Sequence, residues 1–358
     1  MKMKKTITYI INSLEIGGTE KQLLQLIKEI KKKFYVKILC FKKGKLYKFF
    51  AGENIEIISL EEKKITFLSL IKFLYKNKTD IYHFLLPKSY IFCSLLLLFS
   101  KKKKIMSRRS LNYYHKKYFY ISLLVEKLLH KTLDLIIVNS EDIKLQLIKK
   151  ENVSEKKIKL IENFFVKEKK LKKNNLILPD KKNGEVFFIY IANFIPYKGH
   201  INLLKICSKI DVNRNWKLLF IGEDRNKFKN QIINCINKFK LKKNVLIFKP
   251  CLEVFEFYKL ADFAVTTSSE EGSSNFLLES VSLGLPIISY DVGGNRNFHN
   301  GKNGFLIKFQ DEINFKKKIE KMINLNDRKN LSKNSLLIFK KRKNNKDLAE
   351  QYFESYNS

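Results

Sequence analysis

The run Ser268-Ser269-Glu270-Glu271-Gly272-Ser273-Ser274-Asn275-Phe276-Leu277-Leu278-Glu279 follows an apolar stretch, Phe263-Ala264-Val265, and leads into a helix expected to end near Gly284. A strand, an acidic glycine–serine turn and a helix N-terminus, in that order, present backbone N–H groups and the positive end of a helix dipole. That combination suits a phosphate. Glu271 and Glu279 bracket the turn. With the helix starting near Ser274 or Asn275, Glu279 stands about one turn inside it, roughly 6–7 Å along the axis. A diphosphate at the turn would bring a ribose within reach of Glu279, and Glu271 would meet hydroxyls of whatever hangs from the distal phosphate. Taken alone, the pair reads as readily as a solvated turn residue and a helix-face charge.

Other loops bear on that choice. In parallel α/β domains, ligands sit beyond the carboxyl ends of the strands. Three segments of the second half fall there: Asn193 to Gly199, Gly222-Glu223-Asp224, and the acidic turn. Lys198 is placed to neutralise a phosphate as a point charge, although it is one of 71 Lys and Arg. In the first half, Gly17-Gly18 occupies an equivalent strand end, where a missing side chain lets backbone approach a ligand or simply makes a turn.

The elements that position these residues alternate. Ile7–Leu14 reads as a buried strand that breaks at Gly17-Gly18; Thr19 is expected to cap a helix, and Tyr35–Phe41 returns as a second strand. Ile55–Leu60, Ile81–Leu86, Leu133–Val138 and Ile158–Ile161 follow as strands in the first half. Val186–Ile191, Lys217–Ile221, Val245–Phe248, Phe263–Val265 and Pro286–Tyr290 follow in the second. Such alternation builds parallel sheets flanked by helices. A Lys- and Asn-rich stretch separates the halves. The expected layout is residues 1–165, a linker at 166–184, a second α/β domain at 185–340, and a C-terminal helix at 341–358 that returns to the first domain.

Bulk composition narrows the classes. At 358 residues and 45 % hydrophobic content, two packed cores are expected rather than a disordered chain. The formal charge of +36 fits either a coding bias spread over every segment or an attraction to anionic surfaces. Five dispersed cysteines without a C-x-x-C pair indicate neither a zinc site nor a disulfide framework. The start, Met1-Lys2-Met3-Lys4-Lys5 and an apolar run, is interrupted by Asn12 and Glu15 and reads as a first strand without export. No apolar run reaches the roughly 18–20 residues of a spanning helix.

Glu271 through Glu279 has the E-x7-E spacing of retaining glycosyltransferases, and the sequence resembles family 4 with the GT-B fold over nearly its whole length. Gly17-Gly18-Thr19-Glu20, Val138-Asn139-Ser140, Asn193-Phe194-Ile195-Pro196-Tyr197-Lys198-Gly199-His200, Leu283-Gly284-Leu285-Pro286, Val292-Gly293-Gly294 and Asn303-Gly304 all resemble segments of that family, in its order. The resemblance implies two Rossmann-like domains with parallel sheets facing a central cleft. A nucleotide-diphosphate sugar is then expected mainly on the second domain and the acceptor on the first. It implies that Glu271 holds donor-sugar hydroxyls and Glu279 the ribose, and that Lys198 and the backbone of Ser273 and Ser274 hold the diphosphate. Gly17 and Gly18 would close on the phosphates, and Asn193, Gly222, Gly272 and Asn275 join the donor side. Glu271 and Lys198 are the catalytic pair implied. Retention would come from attack on the face the diphosphate leaves. A helix N-terminus and a lysine supply the leaving-group stabilisation, so no metal and no cofactor are expected, and no Asp-x-Asp triplet occurs.

Several positions depart from the family pattern. Ile195 stands where an arginine is common, with Arg296 a substitute; Leu85 replaces the second histidine of an HxH form that begins at His83. Asn297 replaces a glutamate, and Phe164 a glycine after Asn163. His83, Arg108 and Arg109 are the acceptor-side candidates, His83 reading more readily as a packing residue.

The apolar segment Ser89–Phe99 precedes Lys101-Lys102-Lys103-Lys104. Tyr113, Tyr114, Tyr118 and Tyr120 interleave with Lys116 and Lys117. That combination suits an anionic bilayer surface or a core helix followed by a solvated charge run. The expected protein is a cytoplasmic glycosyltransferase, peripheral on the inner face of the plasma membrane. It would move a hexose-type sugar to a saccharide or lipid-linked saccharide in cell-surface polysaccharide assembly. A related GT-B enzyme (an epimerase or phosphorylase) is the first alternative. A basic nucleic-acid-binding protein is the second; with no RNP-type motif and dispersed charge, no nucleic-acid partner is expected.

Overall fold

Apolar runs short enough for strands and amphipathic runs long enough for helices follow one another along this chain, and a computed structural model shows what they build. It describes residues 4–63, 67–111, 119–165, 177–224, 227–251 and 254–358. The chain divides into two units: Met1–Val166 together with Lys343–Ser358, and Lys167–Arg342.

The first unit carries a seven-stranded parallel sheet. Its strands are β1 (Thr6–Ser13), β2 (Tyr35–Lys42), β3 (Glu56–Ser59), β4 (Ile81–Leu85), β5 (Lys103–Arg108), β6 (Leu135–Val138) and β7 (Ile158–Leu160). They lie in the order β3-β2-β1-β4-β5-β6-β7, so the order reverses between β1 and β4. β1 sits between two neighbours, pairing Ile7 with Val36 on one side and Ile81 on the other. Its side chains are correspondingly buried from Ile7 to Ile11, as an interior parallel strand requires.

The second unit carries a six-stranded parallel sheet: β8 (Val186–Ile191), β9 (Trp216–Ile221), β10 (Val245–Phe248), β11 (Phe263–Thr266), β12 (Ile287–Tyr290) and β13 (Gly304–Ile307). The order is β10-β9-β8-β11-β12-β13, with the reversal between β8 and β11. That reversal opens a crevice at the carboxyl ends of neighbouring strands, and both the Lys198 segment and the acidic turn leave from it.

Two strands escape the sequence pattern. β5 begins inside the lysine run: Lys104 is buried, its Nζ donating to the carbonyls of Leu97 (3.4 Å) and Ser100 (3.2 Å), while Lys103 Nζ donates to the Ser355 carbonyl at 2.9 Å. The lysine stems act as apolar strand residues and their heads close the ends of other elements, so only Lys101 and Lys102 of the run are exposed. β13 is a four-residue strand that starts at a glycine with positive φ, a residue type that argues against a strand locally. Thr19 does not cap the first helix. Gly17 takes the cap position of Gly18–Ile30 with no side-chain bond, and Glu20 lies in the first turn. The expected linker begins on residues outside those described, as do Tyr113, Tyr114, Lys116, Lys117 and Tyr118.

The C-terminal helix Asn345–Asn357 belongs to the first unit and packs against Gly18–Ile30. Asn344 caps it by accepting from the backbone N–H groups of Lys346 and Asp347. Tyr352 and Tyr356 are fully buried, each worth roughly 1.5–3 kcal/mol by apolar burial. Their hydroxyls find partners inside: Tyr356 with Tyr9 at 2.9 Å and His83 Nδ1 at 2.8 Å, and Tyr352 with Arg109 at 3.1 Å.

Candidate active site

The acidic turn begins where β11 ends. Thr266 and Ser268 place their hydroxyls 3.1 Å apart, and Ser268 donates to Glu271 Oε1 at 2.7 Å. Lys198 Nζ donates to the same oxygen at 2.7 Å. Lys198 arrives from a short turn, Pro196–Lys198, that is bound to the acidic segment along its length. Ser269 N donates to the Tyr197 carbonyl (2.8 Å), and Thr267 Oγ1 donates to the Gly199 carbonyl (2.8 Å). Tyr190, in β8, lies beneath: its hydroxyl donates to the Lys198 carbonyl and sits 2.8 Å from Ser268 Oγ.

Two glycines permit this closeness. Gly199 has φ +71°, and a Cβ there would lie 2.2 Å from the Thr267 carbonyl oxygen; Gly293 has φ +50°, and a Cβ there would lie 1.7 Å from the Glu271 carbonyl oxygen. A side chain at either position meets fixed backbone in a strained conformation. Gly294 N then donates to the Gly272 carbonyl at 2.8 Å, tying the loop after β12 to the turn.

The helix Asn275–Ser282 starts where the sequence places it. Ser274 is the cap, its Oγ accepting from Leu277 N at 3.3 Å. Glu279 lies four residues beyond Asn275, the first residue of the helix, about 6 Å along the axis. Its Oε2 accepts from the Tyr258 hydroxyl at 2.7 Å. Both carboxylates are therefore held through one oxygen: Glu271 through Oε1, Glu279 through Oε2. Among the described residues neither Glu271 Oε2 nor Glu279 Oε1 has a partner. Two such acceptors beside a helix N-terminus and a lysine can hold hydroxyls on either side of a diphosphate.

Burial of Lys198 would by itself lower its pKa, but the adjoining Glu271 carboxylate, then the Tyr197 and Tyr190 hydroxyls, outweigh it and the net shift is upward. The lysine keeps its charge at any working pH. His200, behind it, is fully buried among Tyr190, Phe194 and Phe220, and burial, with Lys198 adding to it, pushes its pKa down to about 3. It is a neutral packing residue.

Of the remaining donor-side candidates, Asn193 is half-buried beyond β8, and Phe194 N donates to the Glu223 carbonyl at 2.8 Å. Gly222 is buried at the end of β9, where a Cβ would meet the Ala192 carbonyl oxygen at 2.0 Å. Gly272 is buried, and Ser273 and Asn275 are half-buried. Arg296 is exposed and paired with Asp291 at 3.1 Å. Tyr258 and Tyr190 carry no signal in the sequence. An isolated hydroxyl residue has no periodic or motif signature, and only the fold brings these two to the acidic turn and its helix.

In the first unit, Gly17 has φ −148°, extended backbone that any residue adopts, and the Glu20 carboxylate fills the space beside its Cα. Gly18 opens the helix. The acceptor-side candidates are each engaged by neighbouring side chains. His83 is completely buried in β4, with Nδ1 at 2.8 Å from Tyr356 OH and Nε2 at 2.8 Å from Ser107 Oγ; burial, then the Arg109 charge, lowers its pKa to about 3. Arg108 is buried between Glu126 (3.2 Å) and Glu151 (3.1 Å). Arg109 donates to Asn163 Oδ1 at 2.8 Å and to Tyr352 OH, so its guanidinium fastens the C-terminal helix. Glu126, His130 and Glu151 bring three potential ligand atoms within 4.8 Å, but Arg108 engages both carboxylates and makes the cluster an ion-pair network.

Residues 16–168 match the family model described as Glycosyltransferase Family 4, and residues 172–336 match that described as Glycosyl transferases group 1. CapH of Staphylococcus aureus, named a capsular polysaccharide biosynthesis glycosyltransferase, is 23% identical over 302 residues, 81% of this chain and 82% of its own. A Campylobacter jejuni protein, named N-acetylgalactosamine-N,N'-diacetylbacillosaminyl-diphospho-undecaprenol 4-alpha-N-acetylgalactosaminyltransferase, is 23% identical over 189 residues, 52% of this chain and 49% of its own. The chain spans less than half the length of the curated relatives it matches first, 45% and 28%. Among solved structures, HepE of Anabaena in complex with UDP and glucose superposes with a TM-score of 0.80. The two share 15% identity over 98% of this chain and 99% of that one, a likeness of fold.

Proposed function

Because the chain belongs to glycosyltransferase family 4 with the GT-B fold, we propose that it transfers a hexose-type sugar from a nucleotide-diphosphate sugar with retention of configuration. The observation that carries this reading is the pair of carboxylates, Glu271 and Glu279, each anchored through one oxygen beside Lys198 and a helix N-terminus. In the proposed mode, Glu279 Oε1 accepts from the ribose and Glu271 Oε2 from the transferred sugar. Lys198 and the N-terminus of Asn275–Ser282 take the diphosphate, with Ser273 and Ser274 contributing backbone.

The reaction breaks the bond between the anomeric carbon and the diphosphate oxygen and forms one to the acceptor hydroxyl oxygen on the same face. The acceptor proton passes to the departing diphosphate. Negative charge develops on that leaving group, and a fixed cation and dipole aimed there stabilise the transition state more than the ground state. No metal is required for this charge balance. The acceptor class proposed is a lipid-linked saccharide in cell-surface polysaccharide assembly. The Campylobacter protein is named for a diphospho-undecaprenol-linked saccharide and CapH for capsule, which supports that choice.

A panel of nucleotide-sugars with a polyprenyl-diphosphate-linked saccharide tests the reading. Product analysis by NMR is expected to show the anomeric configuration of the donor, at a rate unchanged by EDTA. An inverted product contradicts the mechanism, and loss of activity in EDTA contradicts the metal-free charge balance.

A further inference from the structure

We propose that the outer surface of three helices in the first unit docks onto an anionic lipid bilayer. The helices are Phe67–Lys76, Pro87–Leu96 and Phe119–Lys131. Their inner sides share one core on one face of the sheet: Leu70 and Leu74 from the first, Tyr90 and Cys93 from the second, Leu129 from the third. The second and third pack against each other. Among the described side chains, what remains exposed on each helix is apolar or cationic apart from Ser69.

The spacing is that of single stripes. On the first helix, Leu68 (78% exposed), Lys72 and Tyr75 recur at helical intervals. Lys88, Phe92 and Leu95 do so on the second, and the chain continues outward through Leu98 and Phe99, the latter 90% exposed. Leu124 (59%), Leu128 (62%) and Lys131 form the third stripe. A water-facing helix in a soluble enzyme normally turns charge of both signs outward. Here the sole carboxylate on the three helices, Glu126, is 1% exposed and engaged by Arg108. Lys72, Lys88, Lys101, Lys102 and Lys131 have no carboxylate partner among the described residues.

That composition selects the occupant. A second copy of this face would oppose lysine to lysine, and a generic protein groove offers no reason to exclude every exposed acid. A bilayer bearing anionic headgroups accepts both components at once: leucine and phenylalanine enter the acyl boundary while lysine heads stay at the phosphates. Lys103 and Lys104, expected from the sequence to lie on such a surface, are turned inward. The cationic rim comes instead from lysines spaced along the three helices. The inference does not depend on the sugar chemistry, and it fits an acceptor carried on a lipid.

Vesicle sedimentation with the full chain tests it, comparing phosphatidylcholine alone with phosphatidylglycerol–phosphatidylcholine mixtures at about 0.1 M salt, where charges are screened beyond about 10 Å. The wild type is expected to pellet with the anionic vesicles only. The pair Leu95→Ser and Phe99→Ser is expected to weaken that partition at least about tenfold, as is Lys88→Glu with Lys131→Glu. A control pair of equal charge change on the second unit, Lys317→Glu with Lys340→Glu, both exposed, should leave it within about twofold. Thermal stabilisation by a nucleotide-sugar should be the same in all of these variants, which separates failure here from failure of the enzymatic reading. Equal binding to neutral vesicles overturns the proposal, as does binding indifferent to the serine pair or equally lost in the control. If the serine pair instead converts a dimer to a monomer without affecting vesicles, the face is a self-association surface and the proposal falls.

Discussion

Lys198→Met is expected to lower the rate of sugar transfer about 100- to 1000-fold, or about 2.7–4 kcal/mol, the range found when one aimed electrostatic group is removed from a reacting centre. Three facts place the effect at Lys198. Its Nζ lies 2.7 Å from Glu271 Oε1. Its carbonyl accepts from the Tyr190 hydroxyl, and the neighbouring carbonyls of Tyr197 and Gly199 accept from Ser269 N and Thr267 Oγ1. Its charge is held on by that carboxylate against burial. A lysine so fixed spends little reorganisation on meeting a departing diphosphate. Methionine keeps the stem and removes the charge, while Lys198→Arg restores the charge with a different fork and should recover part of the rate. Single-turnover transfer at saturating donor is the readout, with a melting curve as control because Glu271 retains only Ser268 as a partner in the methionine variant. A loss under about threefold would remove Lys198 from the chemistry.

The largest stability effect is expected at Arg108. Arg108→Met leaves Glu126 and Glu151 facing each other without their shared cation, and breaking a buried ion pair from one side costs about 3–5 kcal/mol. The network around it is extensive. His130 Nε2 lies 2.8 Å from Glu151 Oε2, Tyr90 OH lies 2.7 Å from His130 Nδ1, and Gln146 donates to Glu151 Oε1 at 3.0 Å. Burial alone would raise the Glu151 pKa, yet the His130 hydrogen bond and the Arg108 charge bring it down to about 2. A folded-state pKa below the unfolded value means that this carboxylate stabilises the fold above about pH 4.5 and loses that contribution as pH falls toward about 2. The arginine variant should therefore unfold at lower denaturant at pH 7, with the gap from wild type narrowing in acid. Adding Glu151→Gln to Arg108→Met should restore part of the loss by removing one unpaired charge. A denaturation midpoint equal to wild type at pH 7 would contradict the arrangement.

Much of the acidic turn is legible in the sequence. The β11–turn–helix junction, the Ser274 cap and the offset of Glu279 follow from local pattern, because strands buried on both faces and capped helices write themselves into a few adjacent residues. β5 was hidden because four consecutive lysines look like a solvated run, whereas in the fold two of them lend their stems to a strand and their heads to carbonyls of other elements. The ion pairing of Arg108, an acceptor-side candidate by sequence, is hidden because its two counter-charges lie 18 and 43 residues away. Tyr258, 21 residues before the carboxylate it steadies, left no trace either. Residue type and spacing reveal what neighbours in sequence do together. Buried charge pairing and the steadying of Glu279 are made by residues that meet only when the sheets close.

The donor site is tested most directly by titrating the stabilising nucleotide-sugar into the wild type and Glu279→Ala, with calorimetry as the readout. Glu279 Oε2 is fastened by Tyr258 and the proposed mode gives Oε1 to the ribose, so the alanine variant is predicted to bind at least about tenfold more weakly, about 1.4 kcal/mol. Its affinity for inorganic pyrophosphate, which has no ribose, should be unchanged. Equal affinity of both proteins for the nucleotide-sugar would contradict the assignment of the acidic turn and its helix as the donor site.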